Sequence, residues 1–305
     1  MENKGSFDCL VSVIIPTYNA GEGLVDLIRA IRYEAIQAKV IVVDSHSKDR
    51  TMEAGRRYAD YAVLIEGQFN HGATREWARK IAGGDIVIFL TQDIIPCKDF
   101  LKKLVAPLVA GDAALAYSRQ IPHDRAGILE AFPREYNYPS ISLNKNRDSI
   151  KEYGVWALHC SDSCAAYRQE KLDEIGGFKY TLTNEDYIAA AKLVRAGYSI
   201  AYVAESVVKH SHSYTLKEEF QRSFDNGYIR GINGWIGEMV GAAEGRGVKM
   251  TAALLSRLAR SQFWLLPYAI LQAGAKWLGF RFGYHAQWLP RSVCRVCSSQ
   301  KPFWR

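Results

Sequence analysis

The sequence predicts an α/β fold, with a mainly parallel sheet covered by helices and a helical C-terminal extension. Three observations carry this reading. Apolar runs alternate with segments of helical periodicity over the first hundred positions, the pattern of strand–helix–strand units. The apolar runs are continuous rather than alternating, which suits strands buried on both faces. From Arg246 to Arg305 the composition changes: ten Lys and Arg, no Asp or Glu, and four of the seven tryptophans.

Val11 to Ile15 is the first strand, closed by Pro16. Leu24, Leu27, Ile28 and Ile31 then recur at helical spacing, with Glu22 placed to complement the helix dipole. Val40 to Val43 is the second strand and ends at Asp44. "SKDRT" opens a helix through Tyr58, and Tyr61 to Ile65 is a third strand. Gly72 to Ala82 reads as a helix with Ala73, Trp77 and Ile81 on its inner face. Ile86 to Leu90 follows as a strand and delivers Thr91, Gln92 and Asp93 before Pro96 ends regular pairing. Residues 119 to 155 are polar and aromatic with few periodic signals, and read as a long functional loop. Trp156 to Tyr167 resumes as strand or buried turn. "NEDYIAAAKLVRAG" is a helix opened by acids and stopped at Gly197, and Tyr198 to Val203 is a strand leading into "VVKHSHSY".

Composition narrows the classes. The 305 residues, 48% hydrophobic and 23% charged, describe an ordinary globular chain of one large domain with an appendage, or two smaller domains. The net charge of +7 belongs to the tail, because the rest has 29 Lys and Arg against 32 Asp and Glu, a net −3. Nucleic-acid binding finds no matching module in that tail. Six cysteines make no secreted disulfide framework in a chain this long, and Cys294 and Cys297 lack the second pair a structural zinc needs. The N-terminus is no signal peptide, since its apolar stretch is a short strand ending in proline. No run approaches the ~20 apolar residues of a bilayer span, so a cytoplasmic location is expected.

Ligands of parallel sheets bind beyond the carboxyl ends of the strands. Pro16-Thr17-Tyr18-Asn19, Asp44-Ser45-His46 and Thr91-Gln92-Asp93 all lie at such ends and are expected to converge on one rim. A nicotinamide dehydrogenase is poorly supported, because "PTYNAGEG" lacks the third glycine of the dinucleotide fingerprint.

Taken in order, "VSVIIPTYNAG", "VIVVDSHSKDRT", "FNHGATRE", "LTQDIIP", "CSDSCAAYR", "GGF", "NEDYIAAAKLVRAGY" and "VVKHSHSYTLKEEF" resemble the inverting nucleotide-sugar glycosyltransferases of family 2, which have the GT-A fold. Within that family the chain is most similar to bacterial rhamnosyltransferases that build surface polysaccharides from dTDP-L-rhamnose. The resemblance spans residues 11 to about 230, giving a catalytic domain over 1–230 and a basic, Trp-rich region over 231–305.

What the resemblance implies can be placed residue by residue. Asp44 would accept a hydrogen bond from N3–H of thymine or uracil, and so does not distinguish dTDP-rhamnose from a UDP-sugar; its alternative is a cap for the following helix. Pro16, Thr17 and Tyr18 would line the nucleoside, with Gln92 beside them. Asn70 and His71 would bond the sugar or phosphates, and Arg75 would pair with phosphate unless it lies on a solvated helix face. Asp93 is the last acid of the family's metal motif. Thr91 stands where the first acid is expected, the one feature favouring a non-catalytic binding or scaffold protein of the same fold. His210 would be the second ligand and His212 is its competitor, the ion being Mg²⁺ or Mn²⁺. The loop around Ser161 to Ser163 would pack against donor and acceptor. Asp186 would be the general base, its pKa raised by Glu185; the alternative is that both acids merely favour the helix N-terminus. The acceptor would be a saccharide, free or polyprenyl-linked. The tail, with Trp264, Trp277, Trp288 and Trp304 among basic residues and Pro267 kinking any helix, is expected to dock on the inner face of the cytoplasmic membrane or else to pack on protein.

Overall fold

The computed structural model describes residues 9–241 and 244–305. The reading of the N-terminus as free of a signal peptide falls in part on residues 1–8, outside the described residues. In chain order the first half runs β1 (Val11–Thr17), α1 (Gly23–Arg32), β2 (Ala38–Asp44), α2 (Thr51–Tyr58), β3 (Tyr61–Leu64), α3 (His71–Ala82), β4 (Ile86–Leu90), β5 (Ile95–Pro96), α4 (Phe100–Val109) and β6 (Leu115–Ile121). Then come α5 (Ile128–Asn137), β7 (Leu143–Lys145), α6 (Ser149–Tyr153), β8 (Cys164–Arg168), α7 (Gln169–Glu174), α8 (Glu185–Arg195) and β9 (Ile200–Lys209). Helices finish the chain: α9 (Leu216–Ile232), α10 (Gly234–Val240), α11 (Glu244–Ser261), α12 (Leu266–Tyr284) and α13 (Arg291–Cys297).

One nine-stranded sheet orders the strands β3-β2-β1-β4-β8-β6-β9-β5, with β7 also on β9. β1 to β4, β6 and β9 point the same way, and β5, β7 and β8 run against them, so the sheet is mostly parallel. Successive strand residues face opposite sides. Ile14, Val43 and Phe89 therefore enter one core layer, while Val13, Val42 and Ile88 enter the other with α1's Leu24, Leu27, Ile28 and Ile31.

Helix α3 departs from its expected register. Its buried residues are Gly72, Thr74, Arg75, Ala78, Arg79 and Ala82, while Ile81 is 46% exposed. The inner face is largely polar: buried Arg79 pairs with Glu76 and Asp173, each at 2.7 Å. Hydrophobic periodicity cannot see a helix held down by ion pairs. Residues 119 to 155 are not one long loop either; they finish β6 and contain α5, β7 and α6. Their hidden anchor is Lys145, 0% exposed, which donates to Tyr117 Oη (2.9 Å) and to the carbonyls of Trp156 (3.2 Å) and His159 (2.6 Å). Burial pulls its ammonium pKa down to about 7.

α9 runs through residue 230, the expected start of the C-terminal region, to Ile232. α12 packs on α9 almost backbone to backbone. A Cβ at Gly283 would lie 1.9 Å from the Phe224 carbonyl oxygen, and one at Gly279 would lie 2.2 Å from that of Phe220. Gly283→Ala is therefore expected to force the helices apart at roughly 1–3 kcal/mol, lowering the melting temperature by a few degrees. Gly274→Ala on the same helix meets nothing within 4 Å and is expected to be neutral or slightly stabilising. Equal melting temperatures for the two variants would contradict this packing.

Candidate active site

Beyond the carboxyl ends of β4 and β9 lies a cleft of about 460 Å³. Asp93 reaches it from the turn after β4. His210 and His212 reach it from the extended segment after β9, two residues apart and so on one side. The structure brings both histidines to Asp93: His210 Nε2 is 3.5 Å and His212 Nε2 is 3.2 Å from its carboxylate, and the two nitrogens are 2.9 Å apart. One donor atom from each residue lies within 4.8 Å of the others, a spacing that fits a divalent ion. Gln120 accepts from His210 Nδ1 at 3.1 Å when that nitrogen carries the proton, leaving the Nε2 lone pair facing the triad. Burial works against ionisation of Asp93, yet when both rings are protonated the hydrogen bond from His210 Nε2 and the charges of both histidines hold its pKa well below the usual range.

A second acidic group approaches from the N-terminus of α8. Asn184 takes a left-handed backbone (φ 58°), which turns the chain so that Glu185 is buried and Asp186 opens on the cleft. Asp186 accepts from its neighbour's amide, Tyr187 N (2.7 Å), and from Asp162 N (3.2 Å). Desolvation, then the charge of Glu185, push its pKa up to about 7. Beneath it, Arg75 lies 2.9 Å from Glu185 and 3.2 Å from Asp162, and Tyr167 donates to Asp162 at 2.6 Å. A single buried guanidinium thus compensates a cluster of carboxyl groups. His71 at the start of α3 lines the cleft as a neutral imidazole, since burial and then Arg75 depress its pKa to about 3.

Of the residues expected to touch a nucleotide sugar, Pro16, His71, Arg75 and Gln92 line this cleft and Thr17, Tyr18, Asp44 and Asn70 do not. The side chains of five of the eight, Thr17, Asp44, Asn70, Arg75 and Gln92, are engaged within the protein. Asn70 caps α3 by accepting from Ala73 N (3.0 Å) and donates to the Thr181 carbonyl (2.7 Å). Arg75 is held by Asp162 and Glu185. Asp44, 1% exposed, accepts from Thr17 Oγ1, Ser47 N and Ser47 Oγ, and so organises the turn after β2. Gln92 clasps Tyr18, accepting from its N–H (2.8 Å) and donating to its carbonyl (3.1 Å), and thereby ties the end of β1 to that of β4. Tyr18 itself is 54% exposed at that rim.

Several cleft residues escape a reading of the sequence. Arg134 comes from α5, inside the segment that carries no periodicity, and Arg222 from α9. Both guanidinium groups lie close enough to His212 and Tyr214 to bear on their titration. Asn226, Ser299 and Gln300 complete the wall, the last two from the far end of the chain, and the expected loop Ser161–Ser163 lines it too.

This sheet, with polar strand ends and an acid-led helix around one cleft, is a GT-A sheet, and the sequence comparisons agree with it. Residues 12–176 match the pattern of glycosyl transferase family 2, and the chain belongs to that family and is a glycosyltransferase. It is 39% identical over 300 residues to the O-antigen chain rhamnosyltransferase RfbN of Salmonella typhimurium, covering 96% of each chain. It is 37% identical to the O-antigen chain rhamnosyltransferase WbaN of Salmonella anatum, covering 96% of this chain and 95% of that one. Among solved structures it resembles the mannosyltransferase PcManGT of Pyrobaculum calidifontis, in complex with GDP-Man and Mn²⁺, with TM-score 0.61 at 20% identity over 97% of this chain and 87% of that one. It also resembles S. aureus TarS in complex with UDP-GlcNAc, with TM-score 0.54 at 15% identity over 91% of both chains.

Proposed function

We propose that this enzyme moves L-rhamnose from dTDP-L-rhamnose to a hydroxyl of a saccharide, free or carried on a polyprenyl lipid, during surface-polysaccharide synthesis, with inversion at the anomeric carbon. The near full-length similarity to two O-antigen rhamnosyltransferases supports the sugar and the pathway class. The observation that carries the chemistry is geometric: a carboxylate with a raised pKa and a carboxylate–diimidazole triad share one cleft.

Asp186 accepts the proton of the attacking hydroxyl, and a pKa near 7 suits that role at neutral pH. Arg75 keeps Glu185 and Asp162 in place beneath it, so that the base sits on a rigid support. Asp93, His210 and His212 would hold a divalent ion, whose contribution is to neutralise charge on the leaving dTDP. Two imidazoles beside one carboxylate favour Mn²⁺ over Mg²⁺. Arg134 and Arg222 line the same cleft and could pair with that charge beside Arg75. Tyr18 and Pro16 border the nucleoside end, while Thr17, Asp44 and Gln92 fix the shape of that rim.

Thermal unfolding with a donor panel tests the assignment, since a ligand of the native state raises apparent stability by RT ln(1 + [L]/Kd). With Mn²⁺ present, dTDP-rhamnose is expected to protect more than UDP-glucose, UDP-GlcNAc or GDP-mannose. Stronger protection by any of these would overturn the donor.

The tail supports a peripheral membrane contact as part of the same proposal. No helix of the described residues is long and apolar enough to cross a bilayer. α12 turns its small residues to α9 and leaves Ile270, Leu271, Trp277, Leu278 and Phe282 exposed along the other face. That stripe lies in a region of ten basic residues and no acids, which complements an anionic lipid surface at about 1 kcal/mol per basic residue. Sedimentation is expected with anionic vesicles at low salt and much less with neutral ones. Equal, negligible binding to both would remove the membrane from the account.

A further inference from the structure

The cleft extends past the proposed base along a polar path lined by Asn184, Asn226, Ser299 and Gln300. Asn184, two residues before Asp186, donates to Asn226 Oδ1 of α9 at 3.0 Å. The next residue back, Asp225, is 2% exposed and holds the end of the chain: Ser298 Oγ donates to it at 2.5 Å and Ser299 N at 3.0 Å. Trp304 packs on Tyr228 with ring centroids 4.8 Å apart, and Phe303 stacks on Tyr180 at 5.5 Å. These contacts fix the last residues over α9 and bring Ser299 and Gln300 into the cleft wall. Cys294 serves the same end, buried against Phe224 and Ala286 in a small apolar cluster, with all six cysteines free.

We infer that Asn226 of α9 and Gln300 of the C-terminal segment form the subsite for the acceptor saccharide, an assignment that rests on the proposed transfer reaction. An acceptor hydroxyl must come within hydrogen-bond reach of Asp186. The rest of its ring then lies over the groups bordering that carboxylate. Carboxamides suit sugar hydroxyls because each offers both a donor and an acceptor. The Gln300 side-chain carboxamide and the Asn226 NH₂ group make no hydrogen bond to other described residues, whereas the Gln300 backbone N–H is held by Ser298 Oγ. The helix that seats α12 on one face, through Phe220, Phe224 and Gly227, presents Asn226 to the acceptor on the opposite one. The C-terminal extension would thus bear on acceptor choice as well as on docking.

The test measures dTDP release from dTDP-rhamnose with Mn²⁺, in water alone and with methyl glycosides of galactose, mannose, glucose and rhamnose. The quantity read is the glycoside-driven rate divided by the water-driven rate. Wild type is expected to respond to at least one glycoside. Gln300→Ala and Asn226→Ala are each expected to lower that ratio about tenfold through the KM for glycoside, the scale of one lost hydrogen bond. Gln300→Trp, which fills the space, is expected to abolish the increment. Ratios within twofold of wild type in all three variants would overturn the subsite, as would a wild type that no glycoside stimulates. Absence of release even in water, with dTDP-rhamnose shown not to protect the fold, would instead count against the donor assignment.

Discussion

Asp186→Asn is expected to cut transfer by about 10²–10⁴-fold, the usual contribution of a general base, while dTDP binds nearly as to wild type. The amide keeps the size of the carboxylate, and its one oxygen can still accept from Tyr187 N at the first turn of α8, while the Asp162 N–H, which bonds the other carboxylate oxygen, loses its acceptor to the NH₂ group. It cannot take the acceptor's proton. Removing a charge beside Glu185 also relieves repulsion in a cluster that Arg75 alone compensates, so folding stability is expected to hold or rise. The check is dTDP release at saturating donor, beside calorimetric titration with dTDP. A variant with more than about half the wild-type rate, against the loss expected of a base, would remove Asp186 from the reaction.

The second large effect belongs to Asp93→Ala. Without the carboxylate, the Nε2 atoms of His210 and His212 face one another at 2.9 Å with no anion between them. Ion affinity is expected to fall by at least the ~10–100-fold that disturbing even an outer-shell partner costs. The readout is not activity alone. Mn²⁺ is expected to strengthen dTDP binding to wild type and leave binding to Asp93→Ala unchanged, while thymidine, lacking phosphates, binds both proteins alike. If Mn²⁺ strengthened dTDP binding equally in both, the metal assignment would fail.

Much of this architecture is legible in the sequence because it rests on local signals. Continuous apolar runs mark β1, β2 and β4, and the polar residues ending β4 and following β9 give the triad. Acids opening α8 point to Asp186. Long-range polar pairing is what local reading misses. Nothing near Arg75 in the chain announces Asp162 and Glu185 as its partners, and nothing near Asn70 announces the Thr181 carbonyl. Lys145 holds its segment through hydrogen bonds and Arg79 through ion pairs, so the segments they anchor look like loops or show the wrong face. The tail is harder still. Its glycines on α12 pack on α9 while its large apolar residues face outward, so packing and docking, which appear as alternatives in the sequence, coexist on one helix.

A rate–pH profile of dTDP release from dTDP-rhamnose at saturating donor and Mn²⁺ tests the central claim most directly. Asp186 is useful only when ionised, and its pKa is raised to about 7. The rate is therefore expected to be level above that pH and to fall about tenfold for each unit below it. Loss of metal at low pH would lower the rate of Asp186→Asn with the same inflection, whereas loss of the base leaves that variant's residual rate without one. A wild-type rate flat from pH 5 to 9, or an inflection that persists unchanged in Asp186→Asn, would contradict the account.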